Sequence, residues 1–179
     1  PWRSAAALLW ECGHAAPFAP ALLHYAWRKG INCPSTRAAG RLFDAAAALT
    51  GLCSHASFEG EGPMRLEAAA ARHGEARPVD LPLTQDDSGL WLCDWAPLLP
   101  MLTDHTLAPA QRAACFHASL AHALLAQAQK LREQTGIGDV GLSGGVFQNR
   151  LLCETAKALL ERHGFTVLLP QRVPLNDAG

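Results

Sequence analysis

The sequence predicts an α/β fold, with a helix-rich first half that carries a β-hairpin and a C-terminal β-α-β unit. Three observations predict it. Ala- and Leu-rich segments recur over the first 75 residues, several of them closed by a glycine. Val79, Leu81 and Leu83 then alternate ahead of the turn cluster Asp86-Asp87-Ser88-Gly89, with Leu90-Trp91-Leu92 behind it. Near the end, an apolar run from Val140 to Leu142 meets Gly144-Gly145, with a second helical pattern directly behind.

Each element has its own signal. Ser4 to Glu11 reads as a helix ending before Gly13, and Phe18 to Arg28 as a second, stopped by Gly30. Ser35 is placed to cap a third helix running through Leu49 to Gly51. Pro63 near the front and Gly74 behind mark a fourth, through His73. After the hairpin, Asp94 is expected to cap a short helix ending near Leu102. Pro109 opens the longest helix, to about Gln134. Its apolar positions Phe116, Leu120, Ala123, Leu124 and Ala128 keep a 3.6-residue period, which predicts one buried face. Strand 138–142, helix 147–163 and strand 165–169 complete the β-α-β unit.

Composition narrows the function. Nearly half of the 179 residues are apolar, enough for a sizeable core. The formal net charge is −1 and no Lys/Arg run exceeds two residues, which argues against a broad nucleic-acid surface. No apolar run is long enough to cross a bilayer. The six cysteines, at 12, 33, 53, 93, 115 and 153, form no C-x-x-C pair, so free thiols in a reducing cytoplasm are expected. The chain opens without Met and stops at Asn176-Asp177-Ala178-Gly179, just after a strand. We read it as a single partial domain, residues 1–179, of a longer protein.

The strand–diglycine–helix corner is the first candidate site. Glycine lets a ligand lie against bare backbone, and a helix N-terminus suits a phosphate or another anion. The alternative is a tight strand-to-helix turn. Asn149, one turn into the expected helix, either offers its amide to a base or sugar edge or caps its own helix. Asp177 follows the last strand at the sheet edge where open α/β folds bind ligands. It is either a divalent-metal ligand or an ordinary turn residue. Asp44, inside an apolar helix, needs a partner, either a ligand hydroxyl or an Arg such as Arg41, unless it faces solvent. The loop Phe58-Glu59-Gly60-Glu61-Gly62-Pro63 either hugs a ligand or joins two helices. His117 and His122, five apart on one helix, diverge by about 140° and cannot chelate one ion well; both are expected at the surface or core edge.

Taken together, the segments resemble the HypF carbamoyltransferases of hydrogenase maturation. The matching runs are Pro1-Trp2-Arg3, Ala39-Gly40-Arg41-Leu42-Phe43-Asp44-Ala45, Ser57-Phe58-Glu59-Gly60, Phe116-His117, Leu142-Ser143-Gly144-Gly145-Val146-Phe147-Gln148-Asn149 and Asn176-Asp177-Ala178-Gly179. The resemblance covers essentially the whole chain. It implies the later half of a C-terminal domain similar to TsaD, the transfer enzyme of tRNA threonylcarbamoyladenosine synthesis, with an actin-like fold of the sugar kinase and Hsp70 type.

It also implies site roles. Asp44, Glu59 and Gly60 would face the nucleotide sugar, Gly144 and Gly145 the phosphate, Asn149 the nucleoside, and Asp177 would ligate a divalent metal. The implied ligand is carbamoyl-adenylate, made elsewhere in the protein from carbamoyl phosphate and ATP. The implied acceptor is the C-terminal cysteine of HypE, and the other HypF domains are the implied intramolecular partners. No nucleophile in this chain is required, and no catalytic residue is assigned. Two departures stand out. The two metal-binding histidines of the family are absent, so the metal site is incomplete here. Ala178 also replaces the usual glycine of the Asn-Asp-Gly-Gly run. The rival readings are a TsaD-like transferase acting on tRNA, a sugar kinase, and a non-catalytic nucleotide-binding module.

Overall fold

A computed structural model describes residues 1–170. In chain order the elements are α1 (Trp2–Glu11), α2 (Ala21–Arg28), α3 (Ala39–Leu49), α4 (Glu61–His73), β1 (Leu83–Gln85), β2 (Trp91–Cys93), α5 (Leu98–Thr103), α6 (Pro109–Thr135), β3 (Asp139–Gly141), α7 (Arg150–Arg162) and β4 (Thr166–Leu168). β1 and β2 pair antiparallel as the expected hairpin, with Leu83 opposite Cys93. β3 and β4 pair parallel, with Asp139 beside Thr166, and α7 is the crossover between them. The predicted mixed architecture is the one observed.

The element limits follow local chemistry, with five corrections. Asp94 does not cap α5: Pro97 stands at its N-cap, and the Asp94 carboxylate accepts the Ala96 N–H instead. α2 starts at Ala21, not Phe18, directly behind Pro20 at its N-cap position. α3 starts at Ala39, and Ser35 does not cap it. Instead the Thr36 hydroxyl accepts the Ala38 N–H and holds residues 36–38 in a turn, which delays the helix. Residues 79–82 are not strand. Pro78 and Pro82 cannot donate to a ladder, and the Val79 N–H is taken by the Ser119 hydroxyl of α6 at 2.9 Å. Finally, α7 begins at Arg150 rather than 147, because Gly145–Gln148 form a separate 3-10 turn.

α6 is the central post. α4 and α7 pack along it, and α3, α5 and β2 also touch it. It is buried on every side from Arg112 to Cys115 and on through Phe116 and His117, not on one face as its periodicity predicts. The many alanines of α6, such as Ala113, Ala121 and Ala128, let its neighbours approach closely, and bulk is supplied from outside by Phe43, Leu66, Leu98, Leu102, Leu152 and Leu160.

Phe116 meets Phe43 edge-to-face, with ring centroids 5.0 Å apart and planes at 90°. Arg112, 3% exposed, gives Nη1 to the Leu102 and Leu49 carbonyls at 2.7 and 3.3 Å and Nη2 to the Thr50 carbonyl at 3.2 Å. One guanidinium thus closes the C-terminal ends of α3 and α5 onto α6, where a cation also suits the helix dipoles. α1 packs on α3, and α2 is tied back to α1 by the rings of Trp10, His24 and Trp27. No helix among the described residues is long and apolar enough to cross a membrane.

Phe116→Ala empties the middle of this core. The expected loss of stability is about 3–5 kcal/mol in urea denaturation. A loss below about 1 kcal/mol would show that the Phe43–Phe116 contact does not organise the core.

Candidate functional site

The diglycine turn is shaped by backbone that only glycine supplies easily. Gly144 has φ 102° and ψ 160°, outside the range comfortable for an L-residue. A Cβ added at either Gly144 or Gly145 would meet nothing within 4 Å among the described residues. The Leu142 N–H is bonded to Leu168 of β4, and the Phe147 N–H to Gly144. Between them, the N–H groups of Ser143, Gly144, Gly145 and Val146 have no acceptor among the described residues. A run of successive backbone donors left without acceptors among the described residues is the kind of feature that can bind an anion.

The N–H groups without an acceptor among the described residues are therefore on this turn and not at the helix terminus that the sequence suggests. The N-terminus of α7 is already occupied. Asn149 is its N-cap, with Oδ1 accepting the Leu152 N–H at 2.9 Å. The Glu67 carboxylate of α4 accepts the Leu151 N–H at 3.0 Å. Asn149 thus stands at the cap position, not one turn into the helix, and the capping alternative describes half of its bonding.

The other half was not legible in the sequence. Asn149, 8% exposed, donates Nδ2–H to Nε2 of His117 at 3.0 Å, and His117 is 2% exposed. The opposite ring nitrogen, Nδ1, lies 2.8 Å from the Ala113 carbonyl. These partners assign a neutral imidazole with its proton on Nδ1. Phe43 and Phe116 enclose the ring edge-on, with centroids at 5.4 and 5.8 Å. The expectation of a surface or core-edge His117 is wrong, because α3 roofs over this side of α6; His122 is exposed as expected. Burial pushes the His117 pKa below its ordinary value of 6.5, against the opposing pull of the Ala113 carbonyl and the Glu67 charge.

Asp44 and the Glu59–Gly62 loop come together. Asp44, 8% exposed, pairs with Arg41 at 2.9 Å, so it does not face solvent and the arginine is one partner of its carboxylate. A Cβ on Gly62 would lie 3.3 Å from Asp44 Oδ1 and 3.3 Å from Ala47 Cβ. The start of α4 is therefore pressed against α3 at Asp44. Gly60, at φ 84°, makes the bend. Glu59 is exposed, and the carboxylate held in place in this loop is Glu61. Glu61 accepts the Ser57 N–H and pairs with Arg65 at 2.6 Å, and these partners hold its carboxyl below the usual range. The 3-10 turn in turn touches α3, so the elements bearing Asp44, the Glu-Gly loop, the diglycine and Asn149 are neighbours. Asp177 lies outside the described residues. Among those described, no three His, Cys, Asp or Glu side chains group so as to hold a metal ion. A shallow groove of about 240 Å³ lies elsewhere, lined by Val79, Leu81, His122, Leu125 and Gln129.

Comparison with known proteins gives the family and the fold. The family model described as "Carbamoyltransferase, Kae1-like Domain, second subdomain" matches residues 1–179. The chain is 40% identical over 188 residues to carbamoyltransferase HypF of Rhodobacter capsulatus, covering 100% of this chain and 24% of that protein. A solved structure titled full-length HypF in the phosphate- and nucleotide-bound form superposes with a TM-score of 0.86 at 26% identity, over 98% of this chain and 24% of the other. A tRNA N6-adenosine threonylcarbamoyltransferase of Aromatoleum aromaticum is 33% identical over 149 residues, 79% of this chain and 42% of that protein. These matches define the class as a Kae1-like carbamoyltransferase domain. The chain belongs to the HypF carbamoyltransferase family, and it spans about a quarter of the length of the HypF it matches at 40% identity.

Two outcomes follow. Gly144→Ala forces a side chain onto φ 102° and is expected to cost about 1 kcal/mol or more in thermal unfolding, whereas Gly145→Ala leaves stability within about 0.5 kcal/mol. Equal losses would contradict the backbone geometry. For His117 the folded pKa lies below 6.5, so between the two values the unfolded chain binds more protons. The contribution of His117 is full above pH 6.5 and is lost as pH falls through its lowered folded-state value. Urea midpoints at pH 7.5 and 5.5 should show the fall, and His117→Gln should flatten it; identical slopes in both proteins would contradict a neutral buried imidazole.

Proposed function

We propose that the chain binds carbamoyl-adenylate and delivers its carbamoyl group to the C-terminal cysteine thiolate of HypE, as part of a longer HypF protein in which residues 1–179 form one partial domain. The observation that carries this reading is the Ser143–Val146 backbone cradle, open among the described residues, in a chain matched along its whole length by the carbamoyltransferase family. Carbamoyl phosphate and ATP supply the adenylate elsewhere in that protein. In the transfer, the thiolate sulfur attacks the carbamoyl carbon, a C–S bond forms, and the C–O bond to the phosphate breaks. AMP leaves with the electron pair.

This chain's residues meet the needs of that step. Gly144 and Gly145 present N–H groups to the phosphate, where negative charge grows as the anhydride opens. Asn149 offers its amide to the nucleoside, and Asp44 with Glu59 and Gly60 lines the sugar side. Asp177 is the proposed ligand to a divalent metal, whose role when bound is to stabilise anionic oxygens. Dehydration of the carbamoyl thioester gives the thiocyanate that supplies cyanide to the nickel–iron centre. The reading places the protein in the cytoplasm with no nucleic-acid partner. Threonylcarbamoyl transfer to tRNA is the second reading, favoured by the tRNA-modifying relative and disfavoured by the net charge of −1.

Asn149→Ala and Asp177→Ala in the full-length protein should each lower carbamoyl transfer at least about 100-fold while leaving carbamoyl-adenylate formation intact. Mass spectrometry of the HypE C-terminal peptide reads the transfer, and pyrophosphate release reads the first step. A fully modified peptide with either variant would refute that residue's assignment.

A further inference from the structure

Asn149 can serve a nucleoside only if its amide presents the same edge every time. A free side-chain amide rotates, and its oxygen and nitrogen exchange places. Here both ends are engaged. Oδ1 must face the Leu152 N–H, because only oxygen accepts there. Nδ2 then faces Nε2 of His117, which accepts because the ring proton sits on Nδ1 against Ala113. The ring cannot turn over freely either, since Phe43 and Phe116 stand edge-on to it. The remaining N–H of Nδ2 and the remaining lone pair of Oδ1 are therefore presented with fixed polarity.

We infer that His117 is a positioning residue for ligand recognition, fixing the polarity of the Asn149 amide through a buried imidazole that no ligand touches. This rests on the reading of Asn149 given above. The relay also links two parts of the site. Phe43, the ring that bounds His117, is the residue before Asp44, so the α3 wall and the α7 cap hold one another in register through the imidazole. Residue 117 thus has a role distinct from plain core packing: it must present an acceptor at the Nε2 position.

The test compares two substitutions in the full-length protein. His117→Gln sets a carbonyl oxygen near the Nε2 position and keeps the acceptor. His117→Leu keeps apolar bulk and loses it. Single-turnover carbamoyl transfer to the HypE peptide should fall about tenfold in His117→Leu, the scale of one lost hydrogen bond, and stay within about threefold of wild type in His117→Gln. Pyrophosphate release serves as the internal control for the first step, and circular dichroism confirms folding. Equal losses in both variants, or unchanged transfer in His117→Leu, would overturn the positioning role. Asn149→Ala is run alongside. If it transfers normally, the nucleoside role of Asn149 falls and takes this inference with it; if it is defective while His117→Leu is not, only this inference falls.

Discussion

One side chain amide ties the site to the core. Asn149 closes the first turn of α7 with its oxygen and grips the central helix with its nitrogen. A buried amide left unpaired costs about 1–3 kcal/mol, so each of these bonds matters more by being unbreakable without penalty than by its net strength. Because Asn149 immediately follows the diglycine turn, fixing its side chain also fixes where that turn emerges from β3. Among the described residues the N–H groups of residues 143–146 have no acceptor of their own.

The rest of the fold makes the constraint rigid. His117 can accept from Asn149 only while it stays neutral, and the packing of Phe43 and Phe116 keeps it dry. Arg112, five residues earlier on α6, pins the ends of α3 and α5 to the same helix. Gly62 lets the head of α4 sit on Asp44 without a clash. From α4, Glu67 then reaches the Leu151 N–H and occupies the α7 terminus. The helix terminus is thus already satisfied by a carboxylate of the protein, and the donors left without an acceptor among the described residues are on the turn.

How much of this the sequence displayed depends on range. α4 and α6 were legible because Pro and Gly stand at or near their ends, and the β-α-β unit because its strands and crossover helix are local patterns. The diglycine turn and the buried Asp44 were legible as residue types in context. The pairings that organise the site were not. Asn149 meets His117 across 32 residues and Leu151 meets Glu67 across 84, and neither separation has a periodicity to betray it. The spacing of His117 and His122 on one helix bears only on whether the two can share an ion. It could not reveal that α3 covers one of them. Similarly, the Glu-Gly loop drew attention to Glu59, whereas the carboxylate with fixed partners is Glu61, two residues on.

The central claim is that the backbone cradle of residues 143–146, held by Asn149 and His117, is where the nucleotide's phosphate sits. A crystal structure of the full-length protein with AMP tests it most directly. The account predicts phosphate oxygens within hydrogen-bond distance of the Gly144 and Gly145 N–H groups, with the Asn149 amide still bonded to Leu152 and His117. AMP bound in the groove beside Val79 and His122, with the diglycine turn facing only water, would contradict it.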